Sequence, residues 1–472
     1  MSSVRPLKIA NAAGFWGDQP GAAARLVALQ PDLDYLTLDY LAEVSLSIMA
    51  GMAARDSSAG YAHDFVEVVR SLAPAWRQGA HPRIVTNAGG LNPSGCATAV
   101  KAALDKAGLG RLRIAVISGD DVLPRLRACG PGRGSPTDEP SPFANLETGA
   151  PVETVASRVV TANAYLGADG IAAALRAGAD IVITGRVADP SLTVGPCLAH
   201  FDWQATEYDR IAGATVAGHL IECGTQVCGG CSTDWLALPA NHDIGFPIAE
   251  IASDGSCVIT KPEGTGGAVS IRTVKEQLLY EIGDPAIYLS PDATVSFLTL
   301  WIESAGPDRV RLFGATGRPP PPRCKVSATY RDGFKAHGLL TVFGHEAVIK
   351  ARQAGTGLVR RLTDAGFVYR ETLVECLGTG ACVGGLGGTV PDSDLIETVL
   401  RVSVAADERE PVERFVREIA PLVTCGPQGV TGYAAGRPRV LPIFGYWPCL
   451  IDRSLVRPVV NLLDSSEPAP AS

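Results

Sequence analysis

The stretch "RIVTNAGGLNPSG", residues 83–95, decides the fold. Three β-branched residues in a row read as a buried strand. The chain then opens into Asn87, Ala88, Gly89 and Gly90, and Asn92, Pro93 and Ser94 signal the start of a helix. That helix covers residues 96–107, and Gly108 and Gly110 stop it. The same order recurs. Residues 180–184 read as a strand that opens into "GRVADPS", and residues 113–118 as a strand that ends in Gly119, Asp120 and Asp121. Strands at 7–11 and 33–38 are interleaved with helical spacing at 22–29, 42–54 and 171–177. Strand, polar loop and helix, repeated this often, predict a mostly parallel sheet covered by helices. Ligands of such sheets gather outside the carboxyl ends of the strands. That places Asn87, Asp120, Asp121, Arg186 and Asp189 on one rim.

The second half reads differently. Residues 293–303, 308–314, 325–329, 369–377 and 395–405 are strand-like. Arg331, Asp332 and Gly333 read as a hairpin turn into 334–343. Residues 347–364 and 411–419 have helical spacing, and Pro319 to Pro322 form a stiff spacer. The fold class expected is α/β: an N-terminal domain over 1–280, a strand-rich α+β domain over 281–460, and a polar tail over 461–472. The Pro/Ser/Gly-rich stretch from Gly130 to Asn145 reads as a surface loop or lid.

A chain of 472 residues, 46% hydrophobic and 19% charged, can bury a large core. The net charge of −8 argues against nucleic acid or an anionic membrane surface as partner. No run reaches membrane-spanning length and the N-terminus lacks an apolar signal core, so the expected compartment is the cytoplasm. Twelve scattered cysteines read as free, mostly buried thiols.

Several stretches carry candidate chemistry. In "KPEGTGG", Gly264, Thr265, Gly266 and Gly267 precede a helix that Thr273 caps, with Glu276 completing a capping box. Such a loop can present backbone N–H groups to an anion, or serve as a plain turn. Three glycines in four residues favour an anion-facing loop at the domain junction. Asn87, Gly89 and Gly90 admit the same two readings. Arg186 can fork a carboxylate or phosphate, or pair internally with Asp189. His219, Glu222 and Cys223 lie within one turn of a helix that starts near Gly213, and Cys228 and Cys231 follow. Their spacing is irregular for zinc, so the expectation is no metal, with His219 or Glu222 facing a pocket as acid/base. Asp39 and Glu43, four apart, form a further carboxylate pair.

Taken in order, "AGFWGD", "LDYLTLDYLAE", "TNAGGLNPSG", "ISGDDVL", "ADIVITGRVADPSLTVGP", "GHLIECGTQVCGG", "KPEGTGGAVSIRTVKEQ" and "GYWPCL" resemble the acyclic terpene utilisation family, AtuA. The resemblance runs from about residue 7 to about 455. It implies a bacterial enzyme of acyl-CoA or branched carboxylic acid metabolism. A lyase or hydratase suits the carboxylates, the histidine and the absence of a redox motif or nucleophile elbow. Glu43, Asp120, Glu222 and His219 are then the acid/base candidates. Asn87, Gly89, Gly90, Arg186, Gly264, Thr265, Gly266 and Gly267 are the candidates for binding the anionic end of an acyl-CoA or carboxylic acid. No tightly bound cofactor is expected beyond a CoA thioester as substrate. A homo-oligomer is the expected assembly, and the small C-terminal domain that some members carry is expected to be absent or supplied as a separate subunit. The alternative is a non-catalytic subunit that binds acyl-CoA or a partner protein.

Overall fold

The computed structural model describes residues 5–42, 44–80, 82–129, 142–384, 392 and 395–463. Glu43, most of the expected lid (130–141) and most of the tail (464–472) lie outside the described residues. The described chain up to Thr329, with the part from Tyr446 onward, forms one compact unit; Tyr330–Gly445 forms a second.

The first unit opens with β1 (Leu7–Asn11), α1 (Ala22–Leu29), β2 (Tyr35–Leu38), α2 (Ser45–Ala53), α3 (Asp64–Arg77), β3 (Arg83–Thr86) and α4 (Pro93–Lys106). It continues through β4 (Ile114–Ser118), α5 (Leu123–Ala128), β5 (Val159–Ala164), α6 (Asp169–Arg176), β6 (Ile181–Thr184), α7 (Ser191–Phe201) and α8 (Tyr208–Ile221). Strands β1, β2, β3, β6 and β4 pair in that order, all parallel. Their residues are buried almost throughout, because helices cover both faces. The five carboxyl ends therefore share one edge.

Antiparallel strands lengthen this sheet. β7 (Ile248–Ile251) pairs β1, and β8 (Cys257–Thr260) pairs β7. After α9 (Ile271–Leu279), β9 (Tyr288–Leu289) and β10 (Thr294–Ser296), the strands β11 (Trp301–Ser304) and β12 (Val310–Phe313) extend it further. β13 (Thr316–Arg318) joins β9 and β10 in a small sheet. Residues 281–329 thus complete the first unit, and the division falls at Tyr330 rather than near residue 280.

Helix α8 is buried along its length from Ile211 to Ile221. Small residues permit this. A side chain at Gly213 would strike the Gly255 carbonyl at 2.1 Å, and one at Gly218 the Pro190 backbone at 2.8 Å. The close fit sets the C-terminus of α8 over the sheet rim.

β14 (Arg323–Phe343) starts in the first unit and ends in the second. The second unit adds α10 (Ala347–Asp364), β15 (Glu371–Leu377), β16 (Glu397–Ala406), α11 (Arg409–Glu418), α12 (Leu422–Cys425) and β17 (Val430–Tyr433). Its sheet is antiparallel, in the order β15, β16, β14, β17. β16 alternates buried and half-exposed residues, and its inward side packs with Leu358, Leu362 and Phe415 from the helices. β18 (Leu441–Asp452) pairs β14, and β19 (Val459–Leu463) closes the edge of the first sheet against β4. The hairpin expected at residues 331–333 does not form. Gly333 has φ +86°, but one such residue only bends the strand, and Phe334 to Phe343 run on against β16.

The loop 264–267 is a packing device. Gly266 N donates to Asp243 O at 2.8 Å, Gly267 N to Pro239 O at 2.8 Å, and Thr265 N to Pro262 O at 3.4 Å. These N–H groups of Thr265, Gly266 and Gly267, expected to face an anion, instead donate to carbonyls of neighbouring chain. Gly264, at φ +75°, lines a surface groove with Lys8 and Glu263, away from the carboxyl rim. The helix that follows starts at Ser270, not Thr273: Ser270 accepts from Thr273 N, and Thr273 Oγ1 answers Ser270 N.

A Cβ at Gly266 would lie 2.0 Å from Ala240 O and 2.9 Å from Asp243 O, both backbone atoms. Gly266→Ala is therefore expected to cost about 3 kcal/mol of stability, and Gly264→Ala, which meets only its positive φ, about 1 kcal/mol. Urea unfolding of the two variants checks the order.

Candidate functional site

Polar side chains at or just after the ends of the parallel strands turn onto the rim. Asn11 closes β1. Its Nδ2 donates to the carbonyls of Ile221 and Glu222 at 2.7 and 2.8 Å, which pins the end of α8 above the sheet. Asp39 follows β2 and Asn87 follows β3. Asn87 Nδ2 donates to Asp39 Oδ1 at 2.7 Å, Leu41 N donates to the same oxygen at 3.1 Å, and Asn87 Oδ1 accepts from Tyr40 N at 2.7 Å. Both ends of Asn87 are thus used in holding the β2 loop.

Arg186 follows β6 and is only 3% exposed. Its guanidinium donates to Leu41 O and Asp189 Oδ1 and lies 4.1 Å from the centre of the Tyr165 ring. Its backbone N donates to Asp120 Oδ2 at 2.9 Å, and Asn163 Nδ2 reaches the same oxygen at 2.8 Å. Burial pushes the Asp120 carboxyl up to about 6, against the lowering effect of those donors. The internal Arg186–Asp189 pair has won over an open fork. Arg186 positions the loops, and Asp120 ties β6 to β5; neither is an exposed binding or acid/base group.

Beside this frame lies a cleft of about 340 Å³. Asp39, Asp189, Glu222 and Glu281 line it, with Tyr280 and Cys223. Burial pushes Asp39 and Glu222 well above the usual carboxylate range; the negative charge of Asp189 adds to both shifts and Arg186 opposes them. Glu222 Oε1 lies 3.1 Å from His219 Nδ1, and Glu222 Oε2 is buried with no hydrogen-bond partner among the described residues.

His219 is 2% exposed, and burial lowers its basicity. Its Nε2 lies 3.1 Å from the carbonyl oxygen of Gln277, which can only accept. Nε2 therefore carries a proton. A neutral ring then offers Nδ1 as an acceptor, and the donor that meets it is the protonated Glu222. The two side chains hold one proton between them at the wall of the cleft.

The structure thus brings together Asp39, Asn87, Arg186, Glu222 and His219, and separates from them residues 264–267. Gly89 and Gly90 belong to the capped turn into α4. A Cβ at Gly89 would lie 2.5 Å from Thr184 O, and Gly90 N already donates to Asn87 O at 3.1 Å. The turn packs strand against helix rather than cradling an anion. Gln277 and Glu281 join the site although no sequence signal selects them, whereas Asp39 belongs to the carboxylate pair read from sequence with Glu43. Position at the end of β2 marks Asp39; nothing local marks the other two, which arrive on and after α9. The cysteines are dispersed: Cys228 is buried, Cys223 half-buried and Cys231 exposed, and all twelve thiols are free. Among the described residues no group of three or more His, Cys, Asp or Glu is arranged to hold a metal ion. No described helix is long and apolar enough to cross a membrane.

Fold and site define an α/β protein with an acid-lined cleft at the carboxyl rim of a parallel sheet. The chain belongs to the acyclic terpene utilisation family: the model of the acyclic terpene utilisation family protein AtuA matches residues 7–462. Neither the curated proteins nor the solved structures yielded a match.

Two outcomes follow from the geometry. Arg186→Lys retains the charge but cannot reach both Leu41 O and Asp189, so it is expected to lower stability by about 3 kcal/mol, read by urea denaturation. For Glu222, the raised carboxyl means the folded state binds more protons than the unfolded one. Its contribution is fully present below the ordinary carboxylate range and is lost as pH rises through the folded value. Glu222→Gln keeps a donor for His219 Nδ1 and loses no proton. Its stability relative to the parent is expected to rise from pH 5 to pH 8; a flat or falling difference in unfolding midpoints contradicts the assignment.

Proposed function

We propose that the chain is an acid–base enzyme that adds water to, or removes it from, an acyl substrate presented as a carboxylic acid or a CoA thioester. The observation that carries this reading is the 3.1 Å contact between Glu222 Oε1 and the buried His219 Nδ1, at a cleft that a second buried carboxyl, Asp39, also lines. Two carboxyls in unlike environments can divide the acid and base roles. Burial raises both carboxyls, but Asp39 accepts two N–H donors, which offset part of that rise and make it the more readily ionised of the two. Glu222 Oε2 accepts none, which favours its protonated form.

In the dehydrating direction Asp39 takes a proton from the carbon next to the acyl carbonyl. Glu222 gives its proton to the departing hydroxyl, which leaves as water, and the electron pair of the broken C–H bond becomes the new C=C bond. In the hydrating direction the roles reverse. The substrate class is the one the family resemblance implies, and convergence of the polar groups in one cleft favours an enzyme over a non-catalytic acyl-binding subunit.

The test is incubation with unsaturated and hydroxylated branched acids and their CoA thioesters, followed by mass spectrometry. At least one pair is expected to interconvert by the mass of a water. Glu222→Gln should slow it about a thousandfold. If no member of the panel changes mass, or if the variant turns over at the parent rate, the reading fails.

A further inference from the structure

Behind Arg186 lies a second polar set that the acid–base reading does not use. Tyr165 N donates to Lys325 O at 2.9 Å, and the hydroxyls of Thr161 and Thr329 lie 2.6 Å apart. These two contacts fix an antiparallel register between β5 and β14 that places Asn163 opposite Ser327. On the other side of β14, Arg453 N donates to Pro322 O at 3.0 Å, a register that brings Tyr446 of β18 opposite Thr329. Alternate residues share a face, so Thr161, Asn163 and Tyr165 look the same way as Ser327, Thr329 and Tyr446.

This face is buried and polar. Asn163 is 2% exposed and Ser327 1%. The threonines satisfy each other. Asn163 Oδ1, Ser327 Oγ and Tyr446 Oη are buried and have no hydrogen-bond partner among the described residues. Buried polar atoms are almost always paired, so three unpaired ones on a single face need an explanation. An apolar replacement of the same shape would fill the space without leaving a polar group unpaired.

We propose that Asn163, Ser327 and Tyr446 form a subsite for the hydroxyl group of a small-molecule ligand. The donor count selects the chemistry. Asn163 Nδ2 is committed to Asp120, so Oδ1 is left as an acceptor. Ser327 and Tyr446 each have one proton to give. A single alcohol oxygen matches the set: its proton goes to Asn163 Oδ1, and its two lone pairs take the protons of Ser327 and Tyr446. A water meets the same three groups with one proton left over, so the test below separates the two. Arg186 stands between this set and the cleft: its guanidinium rests on the Tyr165 ring and donates to Leu41 and Asp189, both of which line the cleft.

The inference stands apart from the acid–base reading because binding alone reads it. The probes are 3-hydroxy-3-methylbutyrate and 3-methylbutyrate, each as free acid and as CoA thioester, titrated calorimetrically into the full chain. In at least one form the hydroxylated member is expected to bind at least tenfold more tightly, since a site built around a hydroxyl rejects the analogue that lacks it. Ser327→Ala combined with Tyr446→Phe should remove that preference, leave the affinity for 3-methylbutyrate unchanged, and keep or raise the melting temperature. Glu222→Gln should retain the preference even where it abolishes turnover. The proposal is overturned if the parent protein shows no preference, including no binding of either member, or if the double variant keeps the preference. A double variant that melts several degrees lower would assign these atoms to a structural water instead.

Discussion

The rim of this protein depends on one buried cation. Arg186 leaves the end of β6 and meets four separate pieces of chain: Leu41 after β2, Asp189 in its own loop, Tyr165 after β5 and, through its backbone N, Asp120 after β4. A guanidinium in a nearly dry site is costly unless each edge finds an acceptor and its charge finds a counter-charge. Here the loops are placed so that they supply both. Because Leu41 and Asp120 follow the parallel strands β2 and β4, and Tyr165 follows β5, satisfying Arg186 sets the relative heights of these loops, and the shape of the cleft follows. The same charge restrains Asp39 and Glu222, which burial and Asp189 would otherwise drive still further from ionisation.

The wall opposite depends on a different device. A buried histidine is ambiguous until one of its nitrogens is given an unambiguous partner, and the Gln277 carbonyl is such a partner. Because that oxygen can only accept, the remaining nitrogen needs a donor, and Glu222 has to keep its proton to be one. Gln277 contributes without touching the cleft: its side chain is buried and its Nε2 lies 3.5 Å from His219 O. α9 therefore fixes the protonation state of a residue at the end of α8, and the capping at Ser270 that starts α9 matters to the chemistry as well as to the fold.

Much of this is legible in the sequence and some of it is not, for physical reasons. Alternation of apolar strands with polar loops identifies the parallel sheet, and the rim rule then nominates Asn87, Asp120, Arg186 and Asp189, because these depend only on neighbours in the chain. The same reasoning is blind to where a donor is already spent. A glycine-rich loop looks alike whether its N–H groups face an anion or a distant carbonyl; here residues 265–267 face carbonyls at 262, 243 and 239. Arg186 likewise looks open in one dimension and proves closed in three. The bend at Gly333 misleads for a related reason: Asp-Gly reads as a reversal only when the strand after it lacks another partner, and β16 supplies one. Gln277 and Glu281 have no local signature because their role is set by tertiary contact alone.

Asp39 shows how closely local geometry and chemistry are joined at the rim. Its Oδ1 accepts from Leu41 N, two residues on, a contact that a side chain one methylene from the backbone makes naturally. The same oxygen takes Asn87 Nδ2. A glutamate here would carry its carboxylate past the Leu41 N–H and release Asn87, whose other end holds Tyr40 N. The loop that presents Leu41 O to Arg186 would then lose its clamp. The short acid is needed for the fold of the β2 loop and for the placement of a carboxylate in the cleft at once, so the two demands select the same residue.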